Sequence, residues 1–172
     1  VTTSTRVWPD GKPNRNAGTP RLGGKVERIV RPGLDGLVRV LWTIPKTPPS
    51  LNVWERSHWS ARNRTKASWE EYLRLYARRD SVPPSEWAYV QAQIIFRKGA
   101  HRDLSNFDAT FWKIFPDVLQ RIGVLSDDTE EQMRRGPVAL ITDRKLMGVY
   151  SDPRLPGFTR IALIAKPKEH HG

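Results

Sequence analysis

Six large apolar side chains, Phe107, Phe111, Ile114, Phe115, Val118 and Ile122, recur at helical spacing and the run stops at Gly123. A helix carrying that much apolar surface must be covered by another layer, so a lone helix or a disordered chain is excluded. Pro116 lies inside the run. Proline removes a backbone donor and its ring crowds the preceding turn, which predicts a kink or a late helix start. The covering layer is legible on both sides. WAYVQAQIIFRK (87–98) reads as a strong strand, LVRVLWTI (37–44) as a half-buried one ending at Pro45, and VALITDRK (138–145) and FTRIALIAK (158–166) as two more.

A second helix is predicted over 53–79, where Trp69, Tyr72, Leu73 and Tyr76 share one face. Arg62, Lys66, Arg74 and Arg78 form a basic stripe on another face. KTPPSLN (46–52) precedes this helix as a turn, with Ser50 or Asn52 placed to cap it, and Ser57–Asn63 reads as a loop or a break. The order is β-α-β-α-β-β. It predicts an α+β fold, one domain with a mainly antiparallel sheet packed against two helices. Residues 1–37 hold four prolines and six glycines among few bulky apolar residues, and read as an irregular basic arm. The domain is expected over 38–168, with 169–172 as a tail. The closing EHHG is assigned no chemistry.

Charge narrows the partner. The chain has 29 Lys+Arg against 18 Asp+Glu, a net +11. About +4 belongs to the arm, so the domain itself is basic, which favours a polyanionic partner over a neutral one. There is no cysteine, hence no disulfide, thiol nucleophile or zinc–thiolate site. No apolar run approaches the roughly 18 residues of a membrane span. The N-terminus lacks the apolar segment of a signal peptide, and a reducing cytoplasm is the expected compartment.

Within this basic chain, acidic residues gather in two islands, His101–Asp108 after the strong strand and Asp127–Glu131 after the helix. Converging carboxylates with lysine or arginine beside them would suit a hard cation such as Mg²⁺ at a phosphodiester. The same residues also have ordinary uses: Asp103 could end a strand, Asp108 could cap a helix, and 127–131 could be a solvated loop. Arg56, His58, Arg62, Arg64 and Lys66 are candidates for phosphate contact, or a solvated helix face. Trp54 and Trp59 could stack on exposed bases, or simply pack in the core.

The segment RDLSNFDATFWKIFPDVLQRIGVLSDD (102–128) resembles the core signature of the RusA family of Holliday junction resolvases: Arg-Asp-x-Asp-Asn, a helix lysine, Asp-x-Leu, a glycine turn and a closing Asp-Asp. PPSLNVWERSHWSARNRTK (48–66) is similar to the family's N-terminal stretch. The resemblance spans about residues 38–166. It implies a Mg²⁺-dependent, structure-selective DNA endonuclease, with Mn²⁺ as a substitute ion, acting as a homodimer on branched DNA in a bacterial or phage-infected cytoplasm. Carried over residue by residue, Asp103, Lys113 and Asp128 are the expected catalytic residues. Asp103 and Asp128 would hold the metal, assisted by Asp127 or Asp108. Arg56, Arg62, Arg64, Lys66, Arg102 and Asn106 would contact DNA. Ser105 stands where the family has its second motif aspartate. A neutral hydroxyl is the weaker Mg²⁺ ligand, which leaves a junction-binding protein without strong catalysis as the alternative. A basic RNA-binding protein is a third, more distant reading.

Overall fold

The computed structural model describes residues 31–32, 35–97, 102–142 and 157–169. Its elements are β1 (Arg31–Pro32), β2 (Val38–Ile44), α1 (Leu51–Arg56), α2 (Trp59–Arg79), β3 (Ser85–Phe96), α3 (Leu104–Arg121), β4 (Met133–Thr142) and β5 (Gly157–Pro167). The five strands form one sheet in the order β1-β2-β5-β3-β4. All neighbours are antiparallel except β3 and β4, which run parallel. The α+β class with a mainly antiparallel sheet is therefore present. The parallel pair follows from connection length, because α3 crosses over between β3 and β4 and returns the chain in the same direction.

Alternation along the strands decides which face is covered. Val40, Trp42 and Ile44 of β2, Ala88, Val90, Ala92 and Ile94 of β3, and Ile161, Leu163 and Ala165 of β5 all turn to the helices. Trp69, Leu73 and Tyr76 of α2 and Phe111, Ile114, Phe115 and Val118 of α3 complete this core. The two helices meet through Trp69 and Phe111, whose rings pack edge to face at 6.2 Å between centroids. On the other face of the sheet, Leu41, Gln91, Gln93, Ala139 and Ala162 line a shallow concavity. Among the described residues no helix lies over it.

Several elements differ in extent from the sequence expectation. The predicted 53–79 helix is two helices, with the break expected within Ser57–Asn63 falling at Ser57 and His58, so there are three helices rather than two and α1 packs against α3. Ser57 is extended and donates its hydroxyl proton to the Val53 carbonyl at 2.6 Å, which ends α1. α3 begins at Leu104, three residues before the apolar run, and continues through Pro116 to Arg121. The late start does not occur, because the Asp103 side chain accepts a hydrogen bond from the Ser105 amide at 3.0 Å and caps the helix before its apolar face begins. β4 begins at Met133, five residues before the predicted strand. MRRGP looks like a turn. Gly136 is there because an added Cβ would fall 2.5 Å from the Tyr89 hydroxyl oxygen and 2.8 Å from the Val90 carbonyl. Pro137 is tolerated on this outermost strand. Arg31 and Pro32, placed in the irregular arm by sequence, pair with Arg39 and Val38 as β1. Residues 1–30 and 170–172 lie outside the described residues.

One buried polar knot ties α2 to the sheet. Asp80, only 5% exposed, accepts from the Trp42 indole at 2.9 Å and from two nitrogens of Arg79 at 2.7 Å each. One turn earlier, the Tyr76 hydroxyl donates to the Thr43 carbonyl at 2.7 Å, and burial pushes that phenol up to about 12. Asp80→Ala strands the buried indole N–H and unpairs Arg79. It should cost about 3 kcal/mol in urea unfolding, with Asp80→Asn, whose amide oxygen still accepts from Trp42, retaining part of it.

Candidate nucleic-acid interface

The break between α1 and α2 builds one wall of a cavity. His58 caps α2 by accepting from the Ser60 amide, and the chain turns so that α2 runs back past the end of α1. Arg62 then reaches across the corner. Its Nε donates to the Trp54 carbonyl and one terminal nitrogen to the Glu55 carbonyl, each at 2.9 Å. These carbonyls belong to the last turn of α1, where backbone partners run short, and that of Trp54 also accepts from the Ser57 amide at 3.1 Å. Trp54, 5% exposed, lies beneath Arg62 and Lys66, whose cationic groups stand 5.7 and 5.9 Å from its ring centre.

α3 supplies the facing wall. Lys113 and Asp117 are one turn apart and share a side, with Trp112 beside them. Asp117 forms an ion pair and hydrogen bond with Lys66, a direct polar tie between α2 and α3. Gly123, at φ +79°, then turns the chain back after the helix. Val124 and Leu125 are buried, and Gln132 gathers the following loop by accepting from the Ser126 hydroxyl and the Asp127 amide at 3.0 Å each. The loop so held delivers Asp128 to the cavity. The volume enclosed is about 430 Å³, lined by Trp54, Trp59, Arg62, Asn63 and Lys66 on one side and Trp112, Lys113, Asp117 and Asp128 on the other. That is a size suited to a small group or a nucleotide unit.

The structure thus brings Lys113 and Asp128 together with Arg62, Lys66, Trp54 and Trp59. It does not bring Asp103 and Asp108 to them. Asp103 is the exposed cap at the N-terminal end of α3, and the helix from there to Asp117 is about 20 Å long. Asp127 neighbours the cavity but its carboxylate accepts from the Asp128 amide at 2.8 Å, a local turn. Arg102 stands over the Phe96 ring at 4.0 Å, and Asn106 lies in the first turn of α3 with its carbonyl accepting from Thr110; both belong to the distant end of that helix. Arg56 and Arg64 are exposed and outside the cavity lining. His101 lies outside the described residues.

Two cavity residues, Asn63 and Trp112, had no role assigned from sequence, and Asp117, the aspartate matched to the Asp-x-Leu block of the resemblance, was not placed in the metal set. The i, i+4 spacing from Lys113 places Asp117 on the same helical side, and Lys66 could be matched to it only through the tertiary packing of α2 on α3. Among the described residues no group of three or more His, Asp or Glu side chains could hold one metal ion. The four-carboxylate set expected from sequence therefore does not converge within one chain. Mg²⁺ itself asks for less, since one or two carboxylates with water and substrate phosphate are sufficient. Asp128 and Asp117 meet that requirement in kind.

No protein-family model and no curated protein matches the chain. Among the described residues no helix is long and apolar enough to cross a membrane.

Arg62 acts here as a clamp on α1, and its replacement should show as loss of structure before loss of charge. Arg62→Lys keeps the charge but cannot reach two carbonyls with a planar fork. It should lower unfolding stability by about 1–2 kcal/mol. Hydrogen exchange should quicken in α1 and leave β3 and β5 unchanged.

Proposed function

We propose that the protein is a structure-selective DNA endonuclease of RusA type that acts on branched DNA with Mg²⁺. The observation that carries this reading is that two sequence blocks, 48–66 and 102–128, far apart in the chain, supply opposite walls of one open cavity. That cavity holds three cationic and two carboxylate side chains, a mixture suited to gripping a phosphodiester and to chemistry on it rather than to grip alone.

The residues would divide the work as follows. Lys113, exposed on α3, would face the phosphate and offset the negative charge that develops there. Lys66 holds Asp117 in place, and Arg62 fixes the α1–α2 corner that carries Trp54 and Trp59. Asp128, with Asp117 behind it, would hold the Mg²⁺. When bound, the ion supplies a Lewis acid for the phosphoryl oxygen and lowers the pKa of water.

The homodimer that accompanies this reading has a geometric consequence. Asp103 caps the start of α3 outside the cavity that Asp128 lines, so a homodimer would bring both to one site by drawing them from different protomers. Asp103→Asn and Asp128→Asn variants, each mixed with the other, test this directly. With sites shared between protomers, each variant alone is inactive on a synthetic four-way junction, and the mixture regains nicking at one of two sites. If Asp103→Asn alone retains cleavage, Asp103 is a helix cap, a role that asparagine fills about as well, and the cavity carboxylates act by themselves. Cleavage that survives loss of both Asp117 and Asp128 overturns the proposed site.

Ser105 and the remoteness of Asp103 favour a second reading, a junction-binding protein without cleavage. Tight binding to the four-way junction with no product across a Mg²⁺ and Mn²⁺ titration, unchanged by Ser105→Asp, would select it.

A further inference from the structure

Three tryptophans line the cavity, and they are not equivalent. Trp54 is buried and its ring lies beneath Arg62 and Lys66. Trp112 packs edge to face on Phe111 at 4.9 Å and lies under Arg135 at 5.4 Å. Trp59 is different. It is 66% exposed, the most exposed large apolar side chain among the described residues, and its ring neighbour is His58 at 5.8 Å in a tilted arrangement.

A tryptophan at that exposure gains nothing from the core. Its position is nevertheless well fixed, because it is the first residue of a 21-residue helix whose cap and whose clamp to α1 are both made. An indole carried on this fixed backbone and exposed to solvent at a cavity that also holds Lys113 and Lys66 offers a π-face beside cationic charge. We infer that Trp59 is a stacking platform for an unpaired nucleobase of a DNA strand whose phosphate enters the cavity. A duplex keeps both faces of each base covered by its neighbours, so only a base freed at a branch, bulge or single strand can use this surface. The residue would make the protein select DNA with exposed bases. Phosphate contacts cannot do so, because they are the same in every sequence and in most shapes. The inference rests on the DNA-binding half of the proposed function and not on cleavage.

The test measures binding by fluorescence anisotropy in EDTA, so that no strand is cut. Three labelled probes of equal length are used: a single strand, a duplex with one unpaired adenine, and a fully paired duplex. Trp59→Ala should weaken the single strand and the bulged duplex by roughly 5- to 150-fold, as expected for loss of one base stack, and leave the paired duplex unchanged. Trp59→Phe should recover part of the loss, and the dependence on salt should be the same in all three proteins, because stacking releases no counterions. 2-Aminopurine at the unpaired position should be quenched by the wild type and not by Trp59→Ala. Equal weakening of all three probes, or no weakening of any, overturns the inference. Discrimination through Trp59 without four-way junction cleavage would sustain it while the endonuclease reading fails. Junction cleavage with bulge affinity unaffected by Trp59→Ala would do the reverse.

Discussion

The position of α2 depends on the buried carboxylate of Asp80. A charge at that depth is costly unless every lone pair is engaged, and here the Trp42 indole and the Arg79 guanidinium engage it. Among the described residues no buried side-chain nitrogen or oxygen lacks a partner. The knot lies at the C-terminal end of a helix of 21 residues, about 31 Å long. Everything at the other end, Trp59, Arg62 and Lys66, is aimed by how that far end is fixed. The Tyr76 hydroxyl on the Thr43 carbonyl removes the remaining freedom of rotation. A change at Asp80 would therefore be felt at a cavity it does not touch.

The second constraint is that the sheet is covered on one side. α2 and α3 must share that side, and they pack on each other through Trp69 and Phe111. Their contact leaves a cleft near Lys66 and Asp117 where polar and charged side chains replace the apolar ones of the core. The pair between those two residues is only partly buried, so screening leaves it a small stabilising effect. Its consequence is geometric: it sets the distance between the walls and orients Asp117 relative to Asp128. The basic stripe read along α2 is interrupted for the same reason. Glu70 lies within it and pairs with Arg74 and Arg121, so part of the stripe is consumed in holding α2 to the end of α3.

The strands and the apolar helix faces were legible because period and burial coincide. Trp69, Leu73 and Tyr76 repeat as an amphipathic face requires, and they are buried. Element ends were less legible, since they are set by single contacts. Asp103 capping α3 and Gly136 fitting against Tyr89 both override what the local sequence suggests. For the cavity, the resemblance pointed to the two segments that line it but not to which of their side chains meet. Asp103 and Asp128 belong to one motif, yet Asp103 caps the start of α3 and only Asp128 lines the cavity. Lys66 and Asp117 are 51 positions apart and in contact. Only the packing of α2 on α3 could reveal that.

A net charge of +11 does not by itself explain recognition at the cavity. Two of its three cations are already committed, Arg62 to the carbonyls of α1 and Lys66 to Asp117, and Asp128 repels a phosphate. The long-range field of the basic surface, with exposed Arg56 and Arg64 near the cavity helices, can raise the rate at which DNA arrives without choosing its shape. Selection must then come from groups whose free energy depends on shape. On the proposed reading the exposed indole of Trp59 is such a group, since it would respond to a base that has left its stack. A fully paired duplex would offer no such base, so a basic protein with this site would approach all DNA and still hold one form of it preferentially.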